Sequence, residues 1–264
     1  MSLPFPTIDP IALQIGPLAI RWYSLAYISG IMAGWWILIR ELKKHPLPNL
    51  DKKRIDDIIM WAIGGIILGG RIGYCLFYKP DYYLSHPAQI LHVWEGGMSF
   101  HGGFLGFITA FYIFCRRNQI PYLRLMDLMA VVAPIGIGLG RMANFVNGEL
   151  WGRVTDVSWG MIFPTGGELP RHPSQLYEAA CEGALLLLIM MVLLKCTKLR
   201  ERAGALIGCF LIGYGCARIS CEFFREPDEY LGFLFAGATM GQLLSVPMVI
   251  AGVIFITRAK RYAS

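Results

Sequence analysis

The chain alternates between long apolar stretches and short segments that carry most of its polar and charged residues. Each apolar stretch has about 18 or more residues, enough for a helix to cross the ~30 Å hydrocarbon core of a bilayer. Most stretches also lack the polar stripe that marks a surface helix of a soluble protein. We therefore predict an all-α integral membrane protein with seven transmembrane helices. The predicted spans are Leu18–Ile39, Ile55–Tyr78, Met98–Cys115, Leu125–Gly148, Gln175–Leu194, Gly204–Phe224 and Thr239–Thr257.

The composition agrees with a membrane protein. Of the 264 residues, 55% are hydrophobic and only 16% are charged, whereas soluble domains average about 25% charged residues. The mean hydropathy is +0.51. No linker or low-complexity tail interrupts the pattern, and no internal repeat indicates the symmetric halves of a transporter. We therefore expect residues 1–264 to form a single polytopic membrane domain.

Basic residues indicate the orientation of the spans. The connections 40–54, 116–124 and 195–202 and the tail 258–264 together contain sixteen lysines and arginines, against four in the alternate connections. Cytoplasmic loops carry such an excess, so the N-terminus is predicted outside and the C-terminus in the cytoplasm. The net charge of +6 then reflects topology and not nucleic-acid binding. Residues 149–174, which are rich in glycine and proline, are expected to form a small extracytoplasmic cap.

Two kinds of motif are missing from the sequence. Residues 1–17 contain no lysine or arginine, so they lack the basic region of a cleavable signal peptide, and we expect the first span to remain in the mature protein. The seven cysteines form no C-x-x-C pair, and no histidines have the spacing of a zinc site. We therefore predict no metal and no cofactor.

Four arginines lie inside the predicted spans, at Arg21, Arg71, Arg141 and Arg218. A charge at the bilayer centre is unfavourable by ~2.5–3.5 kcal/mol even on mild insertion scales, so four such residues indicate a function. In the predicted orientation all four lie near the outer ends of their spans, which predicts a polar site in the outer half of the bilayer. The alternative for Arg21 and Arg71 is that each side chain simply reaches the nearest interface.

Helical spacing groups polar residues of three spans onto shared faces. The sets are Arg141, Asn144 and Gly148 in the fourth span, Gln175, Glu178 and Glu182 in the fifth, and Tyr214, Arg218 and Glu222 in the sixth. Asn147 and Glu149 close the end of the fourth span. Carboxylates so near to arginines suggest partial compensation of charge, which favours burial and orients the guanidinium groups. For Glu178 and Glu222 a purely structural pairing remains the alternative to direct chemistry.

Residues 96–103, with the sequence GGMSFHGG, begin the third span. The N–H groups and dipole of a helix N-terminus favour an anion, so Gly102 and Gly103 are predicted to contact an anionic ligand. The alternative is that these glycines, with Gly106, allow close helix packing. His101 is the only histidine in a predicted span, and it is either a catalytic residue or a hydrogen-bonded core residue.

The segment 140–152, GRMANFVNGELWG, matches the G-R-x-[GA]-N-F-x-N-x-E-x-x-G signature of the bacterial prolipoprotein diacylglyceryl transferases. Other motifs follow in the order of that family: RWY at 21–23, GGRIGY at 69–74, GGMSFHGG at 96–103, RHPSQLYE at 171–178, GYG at 213–215 with Arg218, EFFR at 222–225 and MGQ at 240–242. The chain therefore resembles this family from about residue 8 to residue 257. It departs from some members at 153–170, where their external cap is longer.

The resemblance implies a membrane-bound transferase. Members of the family transfer the sn-1,2-diacylglyceryl group of phosphatidylglycerol to the thiol of the lipobox cysteine of a preprolipoprotein. This first step of bacterial lipoprotein maturation forms a thioether and releases glycerol 1-phosphate. The resemblance also implies a multi-pass protein of the bacterial inner membrane, with its site toward the extracytoplasmic leaflet. Its partners would be phosphatidylglycerol, the signal peptide of the acceptor and other membrane lipids.

The predicted site combines these motifs with the intramembrane polar residues. The predicted catalytic residues are His101, Arg141 and Arg218. The predicted substrate-binding residues are Tyr23, Arg71, Gly102, Gly103, Asn144, Asn147, Glu149, Gly152, Tyr214, Glu222 and Arg225. Negative charge grows on the phosphate as the carbon–oxygen bond breaks, and preorganised arginines stabilise that growth. The nucleophile is the thiol of the substrate, with a pKa of ~8.5, and His101 either takes its proton or binds the lipid head group.

A transporter of an anionic solute is the main alternative, because intramembrane charges also mark solute paths. Such a path needs polar residues from one membrane face to the other, whereas the inner halves of the spans carry only Asp56, Asp57 and Asp127. An intramembrane protease is a second alternative, but the sequence has neither a G-x-S-x-G with a partnered histidine nor an H-E-x-x-H motif.

Overall fold

The computed structural model describes residues 3–6, 8–16, 18–227, 232–234 and 237–261, apart from the side chains of Leu18 and Lys52. The helices are α1 (Trp22–Lys44), α2 (Lys52–Phe77), α3 (Pro80–Ser85), α4 (Phe100–Asn118), α5 (Tyr122–Val146), α6 (Ser174–Glu178), α7 (Leu186–Cys196), α8 (Ala205–Glu222) and α9 (Met240–Arg258). A π-helical segment, Ala179–Leu185, joins α6 to α7, and short 3-10 helices lie at Pro87–Leu91, Val93–Glu95 and Lys198–Glu201. The strands are β1 (Leu3–Pro4), β2 (Ile11–Ile15), β3 (Leu18–Arg21) and β4 (Met161–Ile162).

Six helices in the described part of the chain are long and apolar enough to cross a membrane. They are Trp22–Lys44, Lys53–Phe77, Tyr122–Val146, Ser174–Cys196, Ala205–Glu222 and Met240–Arg258. They match six of the seven predicted spans and confirm the all-α membrane class. The predicted third span, Met98–Cys115, corresponds to α4, which contains His101, ends with Arg116 and Arg117, and is not among these six helices. The count of seven spans and their orientation stay predictions.

The first span begins later than the sequence pattern indicates. Residues Leu18–Arg21 form β3, which pairs antiparallel with β2 across a turn at Gly16, where φ is +56°. A positive φ is accessible to glycine without steric strain, so the turn closes a hairpin ahead of α1. Arg21 is the last residue of that hairpin and is exposed. It therefore lies before the first helix, whereas the sequence pattern predicts it within the first span.

The described residues group into two compact units. One unit comprises Ile39–Leu125, and the other comprises Met1–Leu38 together with Met126–Ser264. In the first unit, α2 and α4 pack backbone to backbone through facing glycines. A Cβ added at Gly73 would lie 2.8 Å from the Cα of Gly102, and one at Gly65 would lie 2.7 Å from the carbonyl oxygen of Gly106. The packing alternative for these α4 glycines is therefore supported.

In the second unit, glycines again set the closest helix approaches. Helices α8 and α9 approach closely at Gly208, where an added Cβ would lie 2.7 Å from the carbonyl oxygen of Gly252. The π-helical segment and α5 approach closely at Gly183, where an added Cβ would lie 2.6 Å from the Cα of Gly138. Removing the side chain at such positions lets helix backbones approach closely. The buried core of this unit consists of Ala130, Val131, Leu186, Met190, Leu194 and Leu206.

The predicted cap, residues 149–174, is a folded loop. Its strand β4 pairs in parallel with β1, and Phe163 is 1% exposed. Backbone bridges join Val154 and Met161 to Arg171, and a further bridge joins Gly152 to Arg225 at the end of α8. These bridges hold the loop against the ends of the helices that carry the polar residues of this unit.

Candidate functional site

Six charged side chains meet in the unit that contains Met126–Ser264, and we call them the charge cluster. The cluster consists of Arg141 from α5, Glu178 from α6, Glu182 from the π-helical segment, Arg218 and Glu222 from α8, and Arg225 just after α8. Three positive and three negative formal charges cancel. The sequence predicted partial compensation of the arginines by carboxylates, and the described residues show one carboxylate for each guanidinium group.

Glu178 contacts all three arginines of the cluster. Its Oε2 lies 3.1 Å from Nε of Arg141, and its Oε1 lies 2.8 Å from Nη1 of Arg218 and 3.3 Å from Nη1 of Arg225. Glu178 is 0% exposed. A buried carboxylate without a partner is strongly destabilising, so these contacts explain how an acidic residue can occupy the interior of this unit.

Glu182 lies one helical turn further along the chain and also bridges two arginines. It accepts from Nη2 of Arg141 at 3.3 Å and lies 3.5 Å from Nη1 of Arg218, and it is likewise 0% exposed. It belongs to the π-helical segment that follows α6. Such segments are rare and occur frequently at functional sites, and this one holds Glu178 and Glu182 against the same pair of guanidinium groups.

Glu222 fixes the other side of Arg218. It pairs with Nη2 of Arg218 one turn away on α8 and lies 3.7 Å from Nε of Arg225. The hydroxyl of Thr239, the N-cap of α9, donates to Oε2 of Glu222 at 2.5 Å. A Cβ at Gly241 would lie 2.6 Å from the carboxyl carbon of Glu222, so the first turn of α9 closes over this carboxylate.

The arginines of the cluster keep an accessible edge while the carboxylates do not. The side chains of Arg141 and Arg218 are 18% and 13% exposed, against 0% for Glu178 and Glu182. Among the described residues, Nη1 of Arg141 and Nε of Arg218 have no hydrogen-bond or ion-pair partner. The carboxylates thus contact the other nitrogens of the two guanidinium groups, and one N–H edge of Arg141 and one of Arg218 remain available to a ligand.

Predicted amide and carboxylate residues form a second set next to Arg141 on α5. The side-chain amides of Asn144 and Asn147 donate to Oε1 of Glu149 at 2.8 and 3.2 Å. Gln175 donates its side-chain N–H to the backbone carbonyl of Glu149 at 2.6 Å. Gln175 is 0% exposed, and within the described ranges its Oε1 has no partner. The structure therefore joins Asn144, Asn147 and Glu149 as predicted and adds Gln175.

Two predicted tyrosines lie near the arginines. Tyr23, on the first turn of α1, shares a hydrogen bond of 3.2 Å with the hydroxyl of Tyr27 and is close enough to Arg141 and Glu149 to interact with their charges. Tyr214 lies one turn before Arg218 on α8 and interacts with the charges of Arg218 and Arg141. Both phenol groups therefore belong to the surroundings of the cluster.

The cap fixes the cluster from outside the helices. Arg153 donates from Nε to the carbonyl of Arg225 at 3.0 Å and from Nη2 to the carbonyl of Glu222 at 3.2 Å. The N–H of Gly152 donates to the carbonyl of His172 at 2.9 Å, and a Cβ at Gly152 would lie 2.7 Å from that same oxygen. Gly152, predicted to bind substrate, therefore has an evident packing role in this structure.

Arg171 and His172 complete the cap. Arg171 donates to Glu226 at 2.9 Å and lies over the ring of Trp151, 4.0 Å from its centroid. Nδ1 of His172 lies 3.1 Å from the hydroxyl of Tyr177. Burial lowers the pKa of His172, so its imidazole is neutral at pH 7 and links the cap to the start of the fifth predicted span without adding charge.

His101, Gly102 and Gly103 lie on the first turn of α4, in the unit Ile39–Leu125. His101 is exposed, its ring contacts that of Phe100, and it has no hydrogen bond to a described residue. This does not fit the alternative of a hydrogen-bonded core residue. The N–H groups of Gly102 and Gly103 already donate to the side chain and carbonyl of Ser99, at 3.2 and 2.9 Å. They are therefore not free to bind an anion in this conformation.

Arg71, on α2 of the same unit, is 4% exposed and bound to backbone carbonyls. Nε donates to Ile90 at 2.9 Å, Nη2 to Gln89 at 2.6 Å and Nη1 to Gly96 at 2.6 Å. Arg71 thus anchors the segment that leads into α4 and positions His101 indirectly. This arrangement supports a structural role, while the predicted contact of Arg71 with substrate stays a prediction.

The prediction of site residues omitted several members of this network. Glu178 and Glu182 were recognised as sharing a helix face but were not counted as site residues, although two carboxylates one turn apart in an apolar span are as unusual as the arginines. Arg153, Arg171 and Gln175 also hold the site. Most of the hydrogen bonds of Arg153 and Arg171 go to backbone carbonyls, which every residue has, so their role leaves no signal in the sequence.

Comparisons with known proteins agree with the motifs. A family model described as prolipoprotein diacylglyceryl transferase matches residues 10–258. The chain is 56% identical to a phosphatidylglycerol–prolipoprotein diacylglyceryl transferase of Paramagnetospirillum magneticum, covering 98% of this chain and 97% of the relative. It is 52% identical to the protein of the same name from Rhodospirillum rubrum, covering 98% and 95%. It is 51% identical to that of Azospirillum brasilense, covering 99% and 98%.

Proposed function

The chain belongs to the prolipoprotein diacylglyceryl transferase family, and from this premise we infer that it transfers the diacylglyceryl group of phosphatidylglycerol to a prolipoprotein. The acceptor is the lipobox cysteine thiol, and the second product is glycerol 1-phosphate. The observation that carries the proposal is the pair of guanidinium groups, Arg141 and Arg218, that buried carboxylates hold with one edge accessible. No comparable observation favours the anionic-solute transporter.

The first step is binding of the lipid phosphate. Nη1 of Arg141 and Nε of Arg218 are the N–H groups without partners among the described residues. Hydrogen bonds between a guanidinium group and a phosphate oxygen are charge-assisted and stronger than neutral ones. Because the cluster is formally neutral before the lipid binds, the single negative charge of a phosphodiester meets no net repulsion. Asn144 and Tyr214 supply neutral hydrogen-bond donors nearby.

The second step is displacement at carbon. The sulfur of the acceptor cysteine forms a bond to the terminal glycerol carbon of the diacylglyceryl group, while the bond from that carbon to the phosphate oxygen breaks. Both electrons of the broken bond stay with the phosphate, and the thiol proton goes to a base. The leaving group is a phosphomonoester, which can carry a second negative charge. Arginines fixed in advance stabilise this added charge more than the ground state, which is the requirement for catalysis.

The carboxylates are positioning residues in this scheme. Glu178 and Glu182 each contact both Arg141 and Arg218, so they set the separation and tilt of the two guanidinium groups. A guanidinium fork that is already fixed loses less entropy when it binds an oxyanion. In this scheme cationic side chains stabilise the leaving phosphate, and no step needs a metal or a cofactor.

His101 is our candidate for the proton acceptor or for a ligand of the head group. Its ring is exposed on the first turn of α4 and makes no hydrogen bond to a described residue, so both nitrogens are accessible. Histidine is the side chain that most often serves as a general base in enzymes.

We also propose the finer topology. With α4 as a seventh span, the excess of lysine and arginine in alternate connections places the N-terminus outside and the C-terminus in the cytoplasm. The charge cluster then faces the extracytoplasmic leaflet of the bacterial inner membrane. There a phospholipid can enter laterally, and the cysteine of a membrane-anchored signal peptide can approach the same level.

The test is a transfer assay with purified full-length protein. Phosphatidylglycerol and a lipobox peptide are supplied in detergent, and the mass of the peptide and the released glycerol phosphate are measured. We expect equal molar amounts of modified peptide and glycerol phosphate from the unmodified sequence. Arg218→Lys should lose most of this activity, whereas Arg258→Lys, at the opposite end of the helical unit, should retain it. Glycerol phosphate release without a thioether product would contradict the proposal.

A further inference from the structure

A second cationic site lies at the other end of the helices that carry the charge cluster. Four basic side chains line a cavity of ≈ 670 Å³, and they are Lys198, Arg202, Lys260 and Arg261. All four side chains are exposed. Within the described part of the chain none of them forms an ion pair, and no acidic residue lines the cavity. The charge cluster, in contrast, pairs every arginine with a carboxylate.

The backbone forces two of these cations together. Arg202 and Arg261 face each other in an antiparallel β-bridge, and the N–H of Ala203 donates to the carbonyl of Lys260 at 3.3 Å. Like charges on directly opposed residues are destabilising. An anion between them would remove that repulsion, so the geometry is more favourable with a ligand bound than without one.

The segment that carries Arg202 is rigidly held from the protein interior. Asp127 of α5, 3% exposed, accepts from the backbone N–H groups of Gly204 and Ile207 at 2.8 and 2.9 Å. The hydroxyl of Thr197 caps the 3-10 helix Lys198–Glu201 by accepting from the N–H of Leu199. Lys198 and Arg202 therefore project from a backbone that the protein interior holds in place.

The location of the cavity indicates which anion would occupy it. α8 begins beside the cavity at Ala205 and reaches the charge cluster at Arg218, a rise of ~20 Å at 1.5 Å per residue. The cavity thus lies at the membrane level opposite to the cluster, where the predicted topology has the cytoplasmic leaflet. Basic pockets between transmembrane helices on that side bind phosphate-bearing lipid head groups.

We propose that Lys198, Arg202, Lys260 and Arg261 form a binding site for the phosphate of an anionic phospholipid. The site is separate from the catalytic cluster and does not depend on the proposed transfer reaction. The lipid phosphate lies between the opposed guanidinium groups of Arg202 and Arg261, and the acyl chains extend along the exposed apolar surface of α9. The bound lipid links the end of α9 to the connection between α7 and α8.

The probe is phosphatidic acid added to the purified full-length protein in neutral detergent. Hydrogen–deuterium exchange of residues 197–204 and 259–261 reports occupancy of this site without interference from the catalytic cluster. We expect protection of both segments by phosphatidic acid and none by phosphatidylcholine. The double variant Arg202→Gln/Arg261→Gln should need about 30-fold more lipid for half-maximal protection, because each cation near a phosphate contributes ~1 kcal/mol.

The matched control is Arg200→Gln/Arg258→Gln, which removes one positive charge within residues 197–204 and one just before residues 259–261, both outside the cavity lining. It should keep the lipid dependence of the unmodified sequence. Both double variants should retain diacylglyceryl transfer. Equal weakening in both would show a general charge effect and overturn the proposal, as would absence of protection in the unmodified protein. Equal protection by inorganic phosphate alone would show a soluble-anion site and would also overturn it.

Discussion

Replacing Glu178 by glutamine tests whether the buried carboxylates position the arginines or only neutralise them. Glutamine keeps the volume of the side chain and removes its charge, and the charge cluster changes from formally neutral to +1. Glu178 makes three ion-pair contacts of 2.8–3.3 Å, to Arg141, Arg218 and Arg225. Glu182 makes two longer contacts, of 3.3 and 3.5 Å. Glu178→Gln should therefore have the larger effect.

The magnitude follows from these contacts. Breaking a buried ion pair by removing one partner destabilises a protein by about 3–5 kcal/mol, so Glu178→Gln should lower thermal stability in detergent measurably. For the reaction, losing one preorganised electrostatic contact lowers kcat by about 10²–10³-fold. The extra positive charge should leave KM for phosphatidylglycerol unchanged or lower it, because the phosphate meets a net cation.

The assay is the steady-state rate of peptide modification at varied phosphatidylglycerol concentration, for Glu178→Gln, Glu182→Gln and the matched surface variant Glu201→Gln. A fall in kcat with no rise in KM, larger for Glu178→Gln than for Glu182→Gln, would support the view that these carboxylates position the arginines. Glu201 is exposed on the 3-10 helix near the other end of the unit, so its variant should behave as the unmodified sequence. A kcat for Glu178→Gln that equals or exceeds the unmodified value, in folded protein, would refute the reasoning.

Of four further predictions, three use the same transfer assay and the fourth uses thermal stability. Arg141→Lys should lose most activity, because an ammonium group cannot replace a fork that binds Glu178, Glu182 and a phosphate at once, and near-normal turnover would remove Arg141 from the mechanism. His101→Gln should lower kcat by about 10²-fold or more if His101 takes the thiol proton, whereas an unchanged kcat with a raised KM would assign it to the head group. Arg153→Gln should lower kcat by about tenfold through loss of two hydrogen bonds that hold residues 222–225, and its activity should be largely restored in Arg153→Lys. Gly73→Leu should destabilise the packing of α2 on α4 by several kcal/mol, to be measured as a loss of thermal stability with phosphatidylglycerol absent.

The membrane architecture could be predicted largely from the length of the apolar stretches. Six stretches became apolar helices of 18–25 residues because length and hydropathy are local properties of the sequence. The start of α1 was predicted too early, at Leu18, because residues 18–21 are as apolar as the helix that follows. They form a strand only because they pair with β2 across the turn at Gly16. Such pairing depends on the surrounding structure and not on the residues of the strand alone.

The sequence predicted several residues of the polar site, but it did not predict their hydrogen-bond partners. Isolated charges in apolar spans pointed to Arg141, Arg218 and Glu222, and their contacts were consistent with the helical spacing. The same rule grouped Arg71 with the site, although its guanidinium group binds backbone carbonyls 18–26 residues away. Arg153 bonds to carbonyls 69 and 72 residues away. Partners of this kind depend on the folded backbone, and no residue type marks them.

The cluster also changes the physical picture of the site. The sequence predicted partial compensation of the arginines, whereas the described residues form a set of six side chains whose formal charges cancel completely. Neutrality makes the unliganded cluster compatible with burial. Its action on a phosphate then depends on orientation and on the free edges of two guanidinium groups more than on net charge.

The most direct measurement is an experimental structure of the full-length protein with phosphatidylglycerol bound. We predict phosphate oxygens at about 2.7–2.9 Å from Nη1 of Arg141 and Nε of Arg218, with Glu178 and Glu182 still holding both guanidinium groups. A phosphate bound elsewhere, while both arginines contact only their carboxylates, would contradict the account.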